Sequence, residues 1–136
     1  MSKRVVVVTG ASAGIGEKLC ELLGSRGDSV VGVARREAEL SAVMGRSGAE
    51  ALPVVGDVTR RADHQRVVEA ALAKFGRIDA WVNNAGRGIT RMPSQLTDAD
   101  VDEMVLVNVK SALYGIQAVL PHFQARGTGH LVNVSS

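Results

Sequence analysis

The residues with the clearest chemistry are glycines in one short run. Val5-Val6-Val7-Val8-Thr9-Gly10-Ala11-Ser12-Ala13-Gly14-Ile15-Gly16 carries four valines into a turn with glycine at positions 10, 14 and 16. An apolar strand emptying into such a turn, with a helix opening behind it, makes a site for a phosphate anion. Gly10 permits the tight turn, Gly14 lets the backbone approach a pyrophosphate, and Gly16 lets the new helix pack on the strand. The first N–H groups of that helix have no partner within it and sit at its positive end. The stretch Thr9, Gly10, Ser12, Ala13, Gly14, Ile15 and Gly16 is therefore expected to hold a nucleotide.

Apart from the polar residues at the strand ends taken up below, little else in the chain suggests chemistry. His64, His122 and His130 match no metal spacing and read as surface or turn residues. No metal site is expected. Asp98, Asp100 and Asp102 read as the solvated start of a helix rather than an acid–base pair. Cys20, the lone cysteine, falls at an apolar helical position and reads as a small buried hydrophobe.

The elements that must position the glycine turn alternate regularly. Arg4 to Thr9 reads as a buried strand, Gly14 to Ser25 as a helix, Ser29 to Ala34 as a second strand and Glu37 to Arg46 as a short helix. Glu50 to Val55 is a third strand, Arg60 to Phe75 a third helix closed by Gly76, and Asp79 to Asn83 a fourth strand. Thr97 looks like the N-cap of one long helix running to about Pro121–Gln124, and His130 to Val134 is a fifth strand. Alternating strands and helices imply parallel strands with right-handed crossovers, hence an α/β, doubly wound parallel sheet. On such sheets ligands sit beyond the carboxyl ends of the strands.

Composition agrees with that class. The 136 residues are 46% hydrophobic with only four aromatics, so Val, Ala and Leu must build the core of a single domain spanning 1–136. The formal net charge of +2 is small and the basic residues are scattered, which gives nucleic-acid binding no support. No stretch reads as a membrane span of about 18 apolar residues or as a signal peptide, and a soluble cytoplasmic protein is the expectation.

In chain order the strand ends carry Thr9-Gly10, Arg35-Arg36, Asp57-Val58, Asn83-Asn84-Ala85-Gly86 and Ser135-Ser136. With Val107-Asn108-Val109 in the long helix, this set resembles the short-chain dehydrogenase/reductase family over the whole chain. The resemblance implies a dinucleotide-binding Rossmann fold with strand order 3-2-1-4-5. It implies an oxidoreductase that moves a hydride between nicotinamide and a carbonyl or alcohol substrate. Under it, Asp57-Val58 meets the adenine, and Asn83, Asn84, Ala85 and Gly86 run along the adenosine ribose. Asn108, read as a buried mid-helix amide, belongs to the catalytic set and holds a water in the proton relay. Ser136, rather than its neighbour Ser135, is the catalytic serine. For Asp57 a helix-capping role stays open, and for the asparagines a role in tying strands together.

Arg35 lies nineteen residues past Gly16 at the end of the second strand. An acidic side chain there would accept from ribose hydroxyls, whereas an arginine suits a 2′-phosphate, and Arg36 could add a second cation. NADP is thus expected over NAD, although Ala13 stands where many NADP-using relatives carry a basic residue.

The family's Tyr-x-x-x-Lys pair should follow the serine by about a dozen residues. Tyr114 is no substitute, because Ala118 stands four places on. The fifth strand would be an open edge, exposing apolar side chains around Val82 and Val132. The expectation is the cofactor-binding half of a longer enzyme, its domain incomplete at the C-terminus. Such an enzyme would pair as a homodimer or homotetramer through the Leu113, Ile116 and Leu120 face. The alternative is a truncated, non-catalytic nucleotide-binding or interaction module. A narrower variant takes an acyl substrate on an acidic carrier, with Arg87 and Arg91 as the basic residues at the site mouth.

Overall fold

The valine run explains the architecture. Val5, Val6, Val7 and Val8 are all buried, which requires a strand covered on both faces. In the computed structural model, which describes residues 3–88 and 90–135, that strand is central. It is β1 (Val5–Thr9), followed by α1 (Gly14–Ser25), β2 (Ser29–Ala34), α2 (Glu37–Gly45), β3 (Ala51–Val55), α3 (Arg61–Phe75) and β4 (Ala80–Asn83). A 3₁₀ turn (Pro93–Gln95), α4 (Asp98–Val105), a π turn (Leu106–Lys110), α5 (Ser111–Arg126) and β5 (His130–Asn133) complete it. The sheet is parallel throughout, with order β3-β2-β1-β4-β5. This is the doubly wound order expected from the sequence.

Alternation along β1 divides the core into two layers. Val5 and Val7 join Val31, Val33, Trp81 and the inner faces of α3 and α5. Val6 and Val8 join Val30, Cys20, Leu23, Leu40 and Met44 beneath α1 and α2. Each fully buried valine is worth about 1.5–3 kcal/mol relative to exposure, so β1 anchors both layers at once. Cys20 is fully buried, and burial pushes its thiol up to about 12.

Most boundaries fall where the pattern put them. Arg4, Arg46, Glu50, Arg60, Asp79 and Val134 lie one residue outside their elements. The larger difference is in the long helix. Thr97 does cap it, in a reciprocal box in which the Thr97 hydroxyl accepts from Asp100 N–H and Asp100 accepts from Thr97 N–H. The helix then loosens to i→i+5 bonding at Leu106–Lys110 and runs on through Pro121 to Arg126.

Two further expectations are corrected. The continuous stretch Asp98–Arg126 is 29 residues long, with a mean hydropathy of 1.3 in its most apolar window, so by length and composition it could cross a membrane. Here it packs by a stripe at helical spacing, Ser111, Gly115, Val119 and Phe123, against the sheet and α3. Val82 is buried rather than exposed, while Leu131 and Val132 on β5 and Val134 just beyond it are exposed, β5 being an edge among the described residues.

Carboxylates lock the amino ends of the strands. Asp28 accepts from the Arg4 main-chain N–H (3.2 Å) and guanidinium (3.0 Å). Asp79 accepts from Val5 N–H (2.8 Å), Arg77 (2.9 Å) and Arg126 (3.3 Å). Burial works against the charge on Asp79, but these donors together hold its carboxyl below the usual carboxylate range. A lowered folded-state pKa contributes stability that is present above the unfolded value of about 3.9 and is lost as pH falls through the folded one. Asp79→Asn should therefore destabilise by about 1–3 kcal/mol at neutral pH, with the gap to the parent shrinking towards about pH 3. Urea unfolding at both pH values checks this, and a gap independent of pH would count against it.

Candidate functional site

The carboxyl ends of β1 to β4 open into a single cleft of about 540 Å³. Its floor is the glycine turn. Gly10 has φ +66°, and a Cβ on Gly16 would collide with the Gly10 carbonyl oxygen, so the turn closes only with glycine at both places. Ala13, the N-cap of α1, is extended and supplies no side-chain hydrogen bond to the first turn. The helix thus presents its first N–H groups and positive end to the cleft, the arrangement that favours a phosphate.

Of the residues expected at the site, Gly10, Ser12, Ala13, Gly14, Ile15, Arg35, Arg36, Asp57, Val58, Asn84, Ala85 and Gly86 all line this cleft. Thr9, Gly16 and Asn83 do not. They stand behind the wall and build it. The Thr9 hydroxyl accepts from Asn84 N–H (3.0 Å) and Ala85 N–H (3.1 Å) and donates to the Val82 carbonyl (3.4 Å). The Asn84 amide donates to the carbonyls of Thr9 and Gly10, both at 3.2 Å. Asn83 is buried. It accepts from the Trp81 indole (2.8 Å) and donates to Asn133 (3.0 Å) and the Ala112 carbonyl (3.3 Å), tying β4 to β5 and α5.

Asp57 does not cap α3, whose N-cap is Arg60. Its Oδ1 accepts from the Thr59 N–H (2.9 Å) and hydroxyl (2.7 Å), closing a local turn. The Thr59 hydroxyl, ahead of burial, which opposes it, holds the Asp57 carboxyl below its ordinary range. Arg35 and Arg36 are exposed at the end of β2, and among the described residues no carboxylate pairs with either.

Asn108 is exposed, not buried. Its amide is satisfied by one residue, accepting from Arg87 N–H (2.9 Å) and donating to the Arg87 carbonyl (2.8 Å). It sits in the π turn and pins the loop after β4 to the helix. Arg87 and Arg91, the basic pair suggested for an acidic carrier, are taken by Glu103 and by Asp100 (2.6 Å). Ser136 lies outside the described residues. Sequence reading missed Thr59, Glu103, Leu106 and Val107 as cleft residues. The spacing of 103, 106 and 107 is one helical turn and was the available signal.

The comparisons agree with this geometry. The short chain dehydrogenase family profile matches residues 4–136. The chain belongs to the short-chain dehydrogenase family. An uncharacterized oxidoreductase of Listeria innocua is 37% identical over all of this chain and 56% of its own length. An actinorhodin polyketide ketoreductase solved with NADPH superposes with TM-score 0.92 at 32% identity, over 98% of this chain and 53% of that one. A 3-ketoacyl-(acyl-carrier-protein) reductase of Brucella melitensis, solved with NADH, gives 0.90 at 33%, over 98% and 57%. The chain spans little more than half the length of these relatives. Its fold is the NAD(P)-binding Rossmann fold of that family.

Two of the histidine expectations are corrected as well. His64 is buried, and His122 accepts from Ile78 N–H at 3.0 Å, so both are built into the fold. The Thr9 hydroxyl offers the most direct test of how the cleft wall is built. Thr9→Val keeps the shape but leaves two main-chain N–H groups without an acceptor, at about 1–3 kcal/mol each. It should lose at least about 2 kcal/mol in urea unfolding, while Thr9→Ser stays near the parent. Equal stability of the two variants would show that the hydroxyl does not hold the wall.

Proposed function

We propose that this chain forms the cofactor-binding part of an NADP(H)-dependent oxidoreductase acting on a carbonyl or alcohol substrate. The observation that carries the cofactor assignment is the pair Arg35 and Arg36. Both are exposed on the rim of the same cleft as the uncapped end of α1, and among the described residues neither pairs with a carboxylate. A dinucleotide whose pyrophosphate lies on α1 brings its adenosine ribose to the end of β2, where a guanidinium can clamp a 2′-phosphate. Solved relatives include both NADPH and NADH complexes, so in this reading the side chain at position 35 decides.

The remaining roles follow from the wall. Asp57 and Val58 face the adenine, and Asn84, Ala85 and Gly86 follow the ribose. Bound NADPH supplies the hydride. Asn108 holds the loop of Gly86 and Arg87 at the π turn, where the water of a proton relay is kept, and Ser136 binds the substrate oxygen. The reaction also needs a tyrosine as its general acid or base. Tyr114 is no candidate, since it lies under the Arg61 guanidinium (4.4 Å) and is not among the residues lining the cleft. Exposed Val101, Val105, Val109, Leu113 and Leu120 along α4, the π turn and α5 support pairing as a homodimer or homotetramer.

Replacing Arg35 tests the cofactor assignment. Arg35→Asp removes charge-assisted bonds worth about 1.5–3 kcal/mol and should lower the NADPH-to-NADH affinity ratio about ten- to a hundredfold. Fluorescence titration with each cofactor reads that ratio. No change in it would overturn the NADP assignment.

A further inference from the structure

The cleft wall beyond β3 is held from behind by two consecutive side chains of α3. Asp57, Val58 and Thr59 line the cleft, and Asp63 and His64 lie in the first turn of the helix that follows. Asp63 Oδ2 accepts the Asp57 main-chain N–H at 2.8 Å. His64 Nε2 lies 2.7 Å from the Val58 carbonyl oxygen. A carbonyl only accepts, so Nε2 carries the proton and donates. The backbone of the Asp57–Val58 dipeptide is thereby gripped through the N–H of one residue and the C=O of the next.

His64 cannot touch a ligand in the cleft. Only 2% of it is exposed, and it shares a small recess with Thr9, Val33 and Val67 behind the wall. Its ring is wedged against Trp81 and, edge-on, Tyr114, each with ring centroids 6.1 Å away. Trp81 is fixed in turn by Asn83. The imidazole therefore transmits the position of the β4 and α5 core to the loop. Burial holds its pKa below the ordinary value, while the Val58 carbonyl and the carboxylates of Asp63 and Asp57 oppose that shift and Arg61 reinforces it. The ring stays neutral, the state in which one nitrogen donates without placing a charge in the core.

We propose that His64 is a positioning residue for the adenosine half of the cofactor, setting the Asp57–Val58 wall through its hydrogen bond to the Val58 carbonyl. The inference rests on the nicotinamide-cofactor reading of the cleft and adds a residue that never contacts the ligand.

The test compares His64→Leu with His64→Gln, whose amide reaches about as far as Nε2 and can donate to the same carbonyl. Binding of NADPH and of 2′,5′-ADP, which carries the adenosine half alone, is measured by calorimetry on the whole chain. His64→Leu should weaken both ligands by the same factor, about tenfold for one lost hydrogen bond, and His64→Gln should return both to within about twofold of the parent. A general loosening of the fold would cost NADPH more than 2′,5′-ADP and would not be rescued by glutamine; that pattern overturns the proposal. So does unchanged 2′,5′-ADP binding in a folded His64→Leu protein. Should the leucine variant not fold, His64→Asn, too short to reach the carbonyl, takes its place with the same expected losses. A parent chain that binds neither ligand would refute the cofactor reading itself, whereas a parent that binds both with indifferent variants refutes only the role of His64.

Discussion

The cleft depends on how the carboxyl end of β1 is held against the loop that follows β4. One hydroxyl, on Thr9, accepts two successive N–H groups of that loop, and the Asn84 amide returns two bonds to the Thr9 and Gly10 carbonyls. β1 is buried on both faces, so its end is as immobile as the core itself. Coupling the loop to that end places the glycine turn and the Asn84–Gly86 segment in one rigid frame. A dinucleotide site needs such a frame, because its ligand spans several strand ends at once.

The two ends of the sheet use charge differently. At the amino ends, Asp28 and Asp79 draw in Arg4, Arg77 and Arg126 and also accept main-chain N–H groups. At the carboxyl ends Arg87 pairs with Glu103, whereas Arg35 and Arg36 stand without carboxylate partners among the described residues. Paired charge with satisfied hydrogen bonds fixes strands in register. Unpaired charge at a cleft rim costs little while solvated and remains available to an anion.

The helical layers contribute unequally to the site. α1 offers its open N-terminus directly, whereas α3 acts indirectly, through side chains that grip the loop after β3. The π turn lets Asn108 reach back to Arg87 while α5 keeps its inner stripe on the sheet. Irregular helix at this point is therefore compatible with a continuous core.

The fold and most of the cleft were legible in the residues, since strand and helix periods, glycine spacing and polar strand ends are local signals. Val5 to Val8 announced a strand covered on both faces, and twelve of the expected site residues line one cleft. Which side chains face the ligand and which stand behind it was not legible. Thr9 and Asn83 stand behind the wall because their partners lie up to 76 residues away along the chain, and His64, read as a surface or turn residue, is buried behind the loop after β3. Arg87 and Arg91 looked available until α4 brought Glu103 and Asp100 to them. By itself the sequence determined the order of elements, the phosphate-binding turn and the family. Tertiary structure alone decided which polar groups are consumed in holding the wall and which remain free for a ligand, because hydrogen bonds between distant segments exist only once the chain has folded.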